Sequence, residues 1–181
     1  MKIIETAIQD VYIIEPAVFE DARGYFFESW NQSKMEAAGL HYNFIQDNQS
    51  KSVYGTIRGL HFQTGEFSQA KLVRAIEGTV LDVAVDLRKG SPTFGKHVAV
   101  ELSAENKRQL MIPRQFAHGF SVLTPSATFA YKCDNVYCKA AEAGIRFDDP
   151  DIAVDWKIDP ARAVLSDKDK VLPLLKELSC F

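Results

Sequence analysis

The sequence predicts an all-β fold, a jelly-roll β-barrel with short peripheral helices, and three observations carry that prediction. Short apolar runs recur at close spacing, with turn-forming stretches such as "RKGSPTFG" (88–95) between them. The strongest run, "TVLDVAVDLR" (79–88), alternates with period two: Leu81, Val83, Val85 and Leu87 take one face, and Val80, Asp82, Ala84 and Asp86 the other. Helix signals are confined to two places. A jelly roll is favoured over other sandwiches because its mouth readily holds a small ligand.

Taken in order, strand-like runs fall at 11–15, 25–30, 43–49, 56–63, 70–76, 79–88, 97–102, 108–112, 117–123 and 127–137. Between the second and third of these lies "NQSKMEAAGL", with Asn31 or Ser33 as N-cap and Gly39 as a stop, which predicts a short helix. A second helix is expected in "SDKDKVLPLLKEL", capped by Ser166 and carrying Leu172, Leu175 and Leu178, with Pro173 marking a break or restart. No repeat, low-complexity tract or long linker interrupts the chain, so a single domain over 1–181 is expected.

With Lys plus Arg at 21 and Asp plus Glu at 24, the formal charge is −3. That mild acidity offers no global attraction to nucleic acid or to an anionic membrane, so an anionic ligand needs a local cationic site. Cys133, Cys138 and Cys180 match neither a disulfide framework nor a zinc motif. The opening "MKIIETAIQDVYIIEP" meets Glu5, Asp10 and Glu15 too early for a signal peptide, and no apolar run approaches membrane-spanning length. A cytoplasmic protein with neither nucleic-acid nor membrane partners is the expectation.

"TIRGLHFQ" (56–63) places Arg58 and His61 in an otherwise ordinary strand. Strict alternation puts them on opposite faces, but a bulge at Gly59 would bring them to one side. Alone, His61 reads rather as a core histidine satisfied by a backbone carbonyl, with Arg58 solvated outside. Other strands add reactive groups: Lys71 in "QAKLVRAIEG", His118 between Phe116 and Phe120, and Tyr131 and Tyr137, six apart. Together they supply a base, a cation and phenolic acids without a Ser or Cys nucleophile. The chain has four histidines, but around His61 the pattern is His-Phe-Gln, and Lys71 in the next strand stands where a carboxylate ligand would be wanted. No GxGxxG or GxxxxGK[ST] motif is present, so no metal and no nucleotide cofactor are expected.

The stretches "DARGYFFESW", "TIRGLHFQ", "AKLVRAIEGTVLDVAVDLRKGSPTFGK", "IPRQFAHGF", "YKCDNVY" and "LSDKD" follow one another across nearly the whole chain. Together they resemble the dTDP-4-dehydrorhamnose 3,5-epimerase family, cupin-type jelly rolls that work as homodimers without a cofactor. The resemblance implies a dTDP-4-keto-6-deoxyhexose substrate whose C4 ketone acidifies the protons at C3 and C5. It implies His61 as base, Asp167 as its carboxylate partner, Tyr131 as the acid on the opposite face and Lys71 beside the enolate oxygen. His118, oriented by Asp82, would neighbour that oxygen, and Tyr137 would pack beside the sugar. Arg58, Arg23 and Lys71 are the implied pyrophosphate cations, a role suited to paired hydrogen bonds from guanidinium. Phe26 and Glu28, contributed by the partner subunit, would meet the thymine, with Gln46 and Asn48 as further polar contacts. Asp167 reads otherwise as a first-turn helical acid, Asp82 as a structural carboxylate and Arg23 as a turn residue. Epimerisation at C5 or C3 alone, keto-isomerisation, and a sugar-nucleotide-binding cupin without turnover are the alternative functions.

Overall fold

The computed structural model describes residues 1–178. Among the described residues there are thirteen strands: β1 (Lys2–Glu5), β2 (Tyr12–Glu15), β3 (Val18–Asp21), β4 (Gly24–Phe27), β5 (Gln46–Val53), β6 (Ile57–Gln63), β7 (Lys71–Glu77), β8 (Thr79–Asp86), β9 (His97–Ser103), β10 (Gln109–Ile112), β11 (Phe116–Val122), β12 (Ser126–Cys133) and β13 (Glu142–Gly144). A six-stranded sheet in the order β1-β2-β10-β7-β12-β5 faces a five-stranded sheet in the order β13-β6-β11-β8-β9. Every pairing within these sheets is antiparallel. The result is the expected jelly roll. A separate hairpin, β3–β4, stands apart from both sheets.

Period-two patterning decides which side chains meet. Val80 and Ala84 of β8 point between the sheets and join Val73, Leu102, Phe120 and Phe129 in the inner core. Leu81, Val83 and Val85 point outward, yet they too are buried, beneath Ile145, Ile152 and Trp156 of the chain that follows β13. Burial on both faces explains why β8 lacks the polar alternation of a half-solvated strand. The α-helix α1 (Gln32–Ala37) begins where expected: the Asn31 side chain accepts from the Lys34 amide at 3.0 Å. It seats Met35 against Ile14, Leu72 and Met111.

Two expectations need correction. The C-terminal helix does not form; residues 169–171 and 175–177 are isolated 3₁₀ turns instead. Pro173 has no N–H to donate and disfavours helical geometry at Leu172, which is extended with ψ 148°. The strand expected over 127–137 ends at Cys133, so the parity linking Tyr131 to Tyr137 does not hold. Strands β1, β3 and β13 are additional to those expected. Cys133 and Cys138 are free thiols, and Cys180 lies outside the described residues.

Candidate active site

Strand β6 carries the centre of the site. It pairs with β11 so that His118 opposes His61 and Phe120 opposes Arg58, with a register shift between them. Three steps along β6 thus match two along β11, which is the arithmetic of a bulge. Gly59, at φ +137°, makes the bulge possible: a Cβ there would lie 2.5 Å from the Gly119 Cα and 2.9 Å from the His118 carbonyl oxygen. Arg58 and His61 consequently line one cavity of about 820 Å³, together with Lys71, His118 and Tyr131. Arg58 is steadied by donating from Nε to Ser52 Oγ at 3.0 Å.

His61 Nε2 lies 2.7 Å from Oδ1 of Asp169. The carboxylate expected there, Asp167, is instead fully exposed and accepts from Lys170 Nζ at 2.9 Å. The local turn explains the exchange. Ser166 Oγ accepts from the Asp169 amide at 3.1 Å, which rotates Asp169 inward and leaves Asp167 on the outer side. Asp169 is buried. Burial pushes its carboxyl up, but the hydrogen bond and charge of His61 outweigh this and hold it below the usual range.

Lys71 opens β7 and sits directly across from Cys133 of β12, while Tyr131 lies across from Val73. Burial lowers the Lys71 pKa, and the nearby negative charges of Asp82 and Glu142 partly offset that effect. His118 Nε2 lies 2.9 Å from Asp82 Oδ2, and Asp82 is fully buried. Its other oxygen, Oδ1, has no hydrogen-bond partner among the described residues. Burial raises the pKa of Tyr131 above that of a free phenol, so its proton stays in place at neutral pH. The expected His118–Asp82 pair is therefore present.

The other expected residues are more scattered. Asn48 opposes Tyr131 across β5–β12 and shares its inward face, and Gln46 Nε2 donates to Asn48 Oδ1 at 3.1 Å. Tyr137 is exposed, does not line the cavity, and donates from its hydroxyl to Glu142 Oε2 at 3.0 Å. Arg23 lies in the β3–β4 turn, Phe26 on β4 and Glu28 just past it, none of them at the His61 cavity. There Arg23 pairs with Asp21 at 2.5 Å, and Glu28 with Lys34 at 2.6 Å. Phe26 is 69% exposed, which leaves a hydrophobic ring without cover in this chain. Sequence reasoning missed Asp169, Lys168 and Ser50 among the cavity residues. "LSDKD" offers two acids of equal parity, and only the Ser166 turn distinguishes them. Among the described residues, no group of three or more His, Cys, Asp or Glu side chains is arranged to hold a metal ion.

An imidazole–carboxylate pair, an ammonium and a protonated phenol around one cavity of a jelly roll define an acid–base isomerase scaffold. The comparisons with known proteins agree. A family model described as dTDP-4-dehydrorhamnose 3,5-epimerase matches residues 5–177. The Shigella flexneri dTDP-4-dehydrorhamnose 3,5-epimerase is 55% identical over 170 residues, covering 93% of each chain. The crystal structure of the Elizabethkingia anophelis dTDP-4-dehydrorhamnose 3,5-epimerase superposes with a TM-score of 0.94 at 54% identity, covering 100% of this chain and 99% of that one. That of the Legionella pneumophila dTDP-6-deoxy-D-glucose-3,5-epimerase, solved in complex with dTDP-4-keto-L-rhamnose, gives 0.94 at 47% identity over 98% and 94%. The chain belongs to the dTDP-4-dehydrorhamnose 3,5-epimerase family.

Proposed function

We propose that this protein inverts C3 and C5 of dTDP-4-dehydro-6-deoxy-D-glucose, giving dTDP-4-dehydro-L-rhamnose for dTDP-L-rhamnose biosynthesis. The observation that carries this reading is the 2.7 Å His61–Asp169 pair facing a cavity shared with Lys71 and Tyr131. His61 takes the proton from C5 or C3, and the C–H electrons move into the C4 carbonyl as an enolate. Asp169 orients the imidazole and balances the charge it gains. Lys71 places an ammonium beside the enolate oxygen, a preorganised contribution worth about 10²–10³ per donor. Tyr131 delivers a proton to the opposite face of the carbon, so the centre is inverted and no net proton is consumed. The reading needs no redox cofactor, because the substrate's own ketone accepts the electron pair.

Arg58, in the same cavity, is a pyrophosphate cation. Gln46 and Asn48 are polar contacts for the nucleotide, and Tyr137 packs beside the sugar while keeping its bond to Glu142. Arg23, Phe26 and Glu28 lie away from this cavity in their own chain. Their exposed hairpin supports a homodimer in which each copy lends that hairpin to the other's nucleotide. No helix among the described residues is long and apolar enough to cross a membrane, and the reading places the enzyme in the cytoplasm with its nucleotide-sugar substrate.

Incubation with the 4-keto nucleotide sugar in D₂O, followed by NMR, tests the proposal. Deuterium at both C3 and C5 is expected. Deuterium at one carbon would assign a monoepimerase, and at neither would leave a binding protein.

A further inference from the structure

We infer that Glu142 is a positioning residue for the proton-abstracting pair: through Lys168 it holds the turn that carries Asp169 against His61. This inference rests on the epimerase reading and extends it to a residue outside the reacting shell.

The turn at 166–171 hangs between two backbone anchors. Before it, Val164 bridges Thr56, the residue just ahead of β6. After it, the Pro173 carbonyl accepts from the Arg146 amide at 3.0 Å, and the Leu172 methyls pack where a Gly144 Cβ would come within 2.8 Å. Among the described residues, two side-chain bonds tie the turn itself to the barrel. One is Asp169 to His61, and the other is Lys168 Nζ to Glu142 Oε1. Lys168 and Asp169 are adjacent, so fixing one ammonium limits how far the neighbouring carboxylate can swing. A carboxylate partner needs this control, because a loss of about 1 Å in a catalytic geometry costs on the order of 10²-fold.

Glu142 is itself rigidly placed. It heads β13, where it opposes Gln63 while Gly144 opposes His61. Its second oxygen accepts from Tyr137 at 3.0 Å, so each carboxylate oxygen has a donor. Tyr137, Lys168 and His61 are the groups that act on Glu142, and its own field reaches Lys71. Burial pushes the Glu142 carboxyl up, but Lys168, Tyr137 and the charge of His61 together hold it low. It is therefore anionic at neutral pH.

Steady-state deuterium incorporation in wild type, E142Q, D169N and the double variant tests the inference. E142Q is expected to lose at least about tenfold in kcat, and the acid limb of its pH–rate profile moves to lower pH. Both loosening Asp169 and removing the Glu142 charge act in that direction. In the D169N background the same change costs less than about twofold, because the group it positions is already disabled. A full tenfold cost in that background, or an unmoved acid limb, overturns the inference. If E142Q does not fold, K168M cuts the same tie from the other side, and its kcat must fall without a further drop in D169N. If the wild type exchanges no deuterium, the epimerase reading fails on its own terms. The downfield proton resonance of the His61–Asp169 bond in ligand-free protein then decides: retained in wild type and lost in E142Q upholds the positioning role, and unchanged in E142Q overturns it.

Discussion

His61 Nε2 and Asp169 Oδ1 stand 2.7 Å apart although 108 residues separate them in the chain. The imidazole comes from a barrel strand and the carboxylate from a turn laid across the barrel's mouth. Asp167, two residues away, points into solvent. Asp169→Asn is expected to lower kcat by at least about 10²-fold, as loss of general-base function does. Asp167→Asn should stay within about twofold, as exposed substitutions do. Equal losses in the two variants, measured by deuterium incorporation, would return the role to Asp167.

In the proposed mechanism Tyr131 and His61 perform separable half-reactions. Tyr131→Phe removes the donor on the far face while leaving the base intact. Net inversion should drop at least about 10²-fold, whereas exchange of the abstracted proton with solvent continues from the His61 side. NMR in D₂O separates the two outcomes: label that enters without inversion supports the assignment, and loss of both together removes it.

In the proposed mechanism Lys71 stabilises the enolate only while protonated. Burial lowers its pKa from the ordinary 10.5, so the ammonium is present at low pH and lost as pH rises through the lowered value. The basic limb of the kcat profile should therefore fall below pH 10.5. Burial raises the Tyr131 pKa above the ordinary 10.0, so the phenol keeps its proton through neutral pH. Lys71→Arg, whose guanidinium stays charged, should push that limb upward even as kcat falls. A limb that does not move in the arginine variant would assign it to another group.

Gly59 and Gly119 touch across β6 and β11. A methyl at 59 would meet the Gly119 Cα at 2.5 Å from a backbone at φ +137°. Gly59→Ala should destabilise the fold by about 2 kcal/mol or more, since overpacking and a left-handed backbone add. Denaturant titration measures it, and a neutral result would mean the two strands separate freely.

Asp86 is the buried hub of the loop after β8. Its carboxylate accepts from Arg88 Nε at 3.0 Å, from Arg88 Nη2 at 2.8 Å, and from Ser91 Oγ and Thr93 Oγ1 at 2.6 Å each. Burial alone would raise its pKa, but these donors depress it well below the ordinary 3.8. A depressed folded value means that the stabilisation is present above the unfolded value and is lost as pH falls toward the folded one. Asp86→Asn should thus cost about 3–5 kcal/mol at pH 7, with the gap to wild type narrowing below about pH 4. A gap that is constant with pH would show that the cost is packing rather than charge.

The strands were legible because alternation is local: Leu81, Val83 and Val85 declare one face of β8 by their spacing alone. The bulge at Gly59 was legible too, since one glycine between Arg58 and His61 gives the backbone a place to slip. The choice between Asp167 and Asp169 was not, because it depends on a hydroxyl cap and on docking against a strand far away in sequence. The C-terminal helix failed for a related reason. Its leucine spacing is helical, but Leu172 packs against Gly144 and Pro173 denies the backbone its hydrogen bond, so tertiary contact replaces periodicity. The parity linking Tyr137 to Tyr131 failed because it was carried past Cys133, where β12 stops.

The wide sequence gap within the His61–Asp169 pair also bears on synthesis. A ribosome making this chain releases the imidazole-bearing strand long before the carboxylate has been translated, and 108 residues of polypeptide must still be added. A chain made only that far lacks the His61–Asp169 pair altogether. In the proposed reaction, turnover begins only once the turn carrying Asp169 docks against β6, so the working pair is a product of tertiary docking rather than of local chain order.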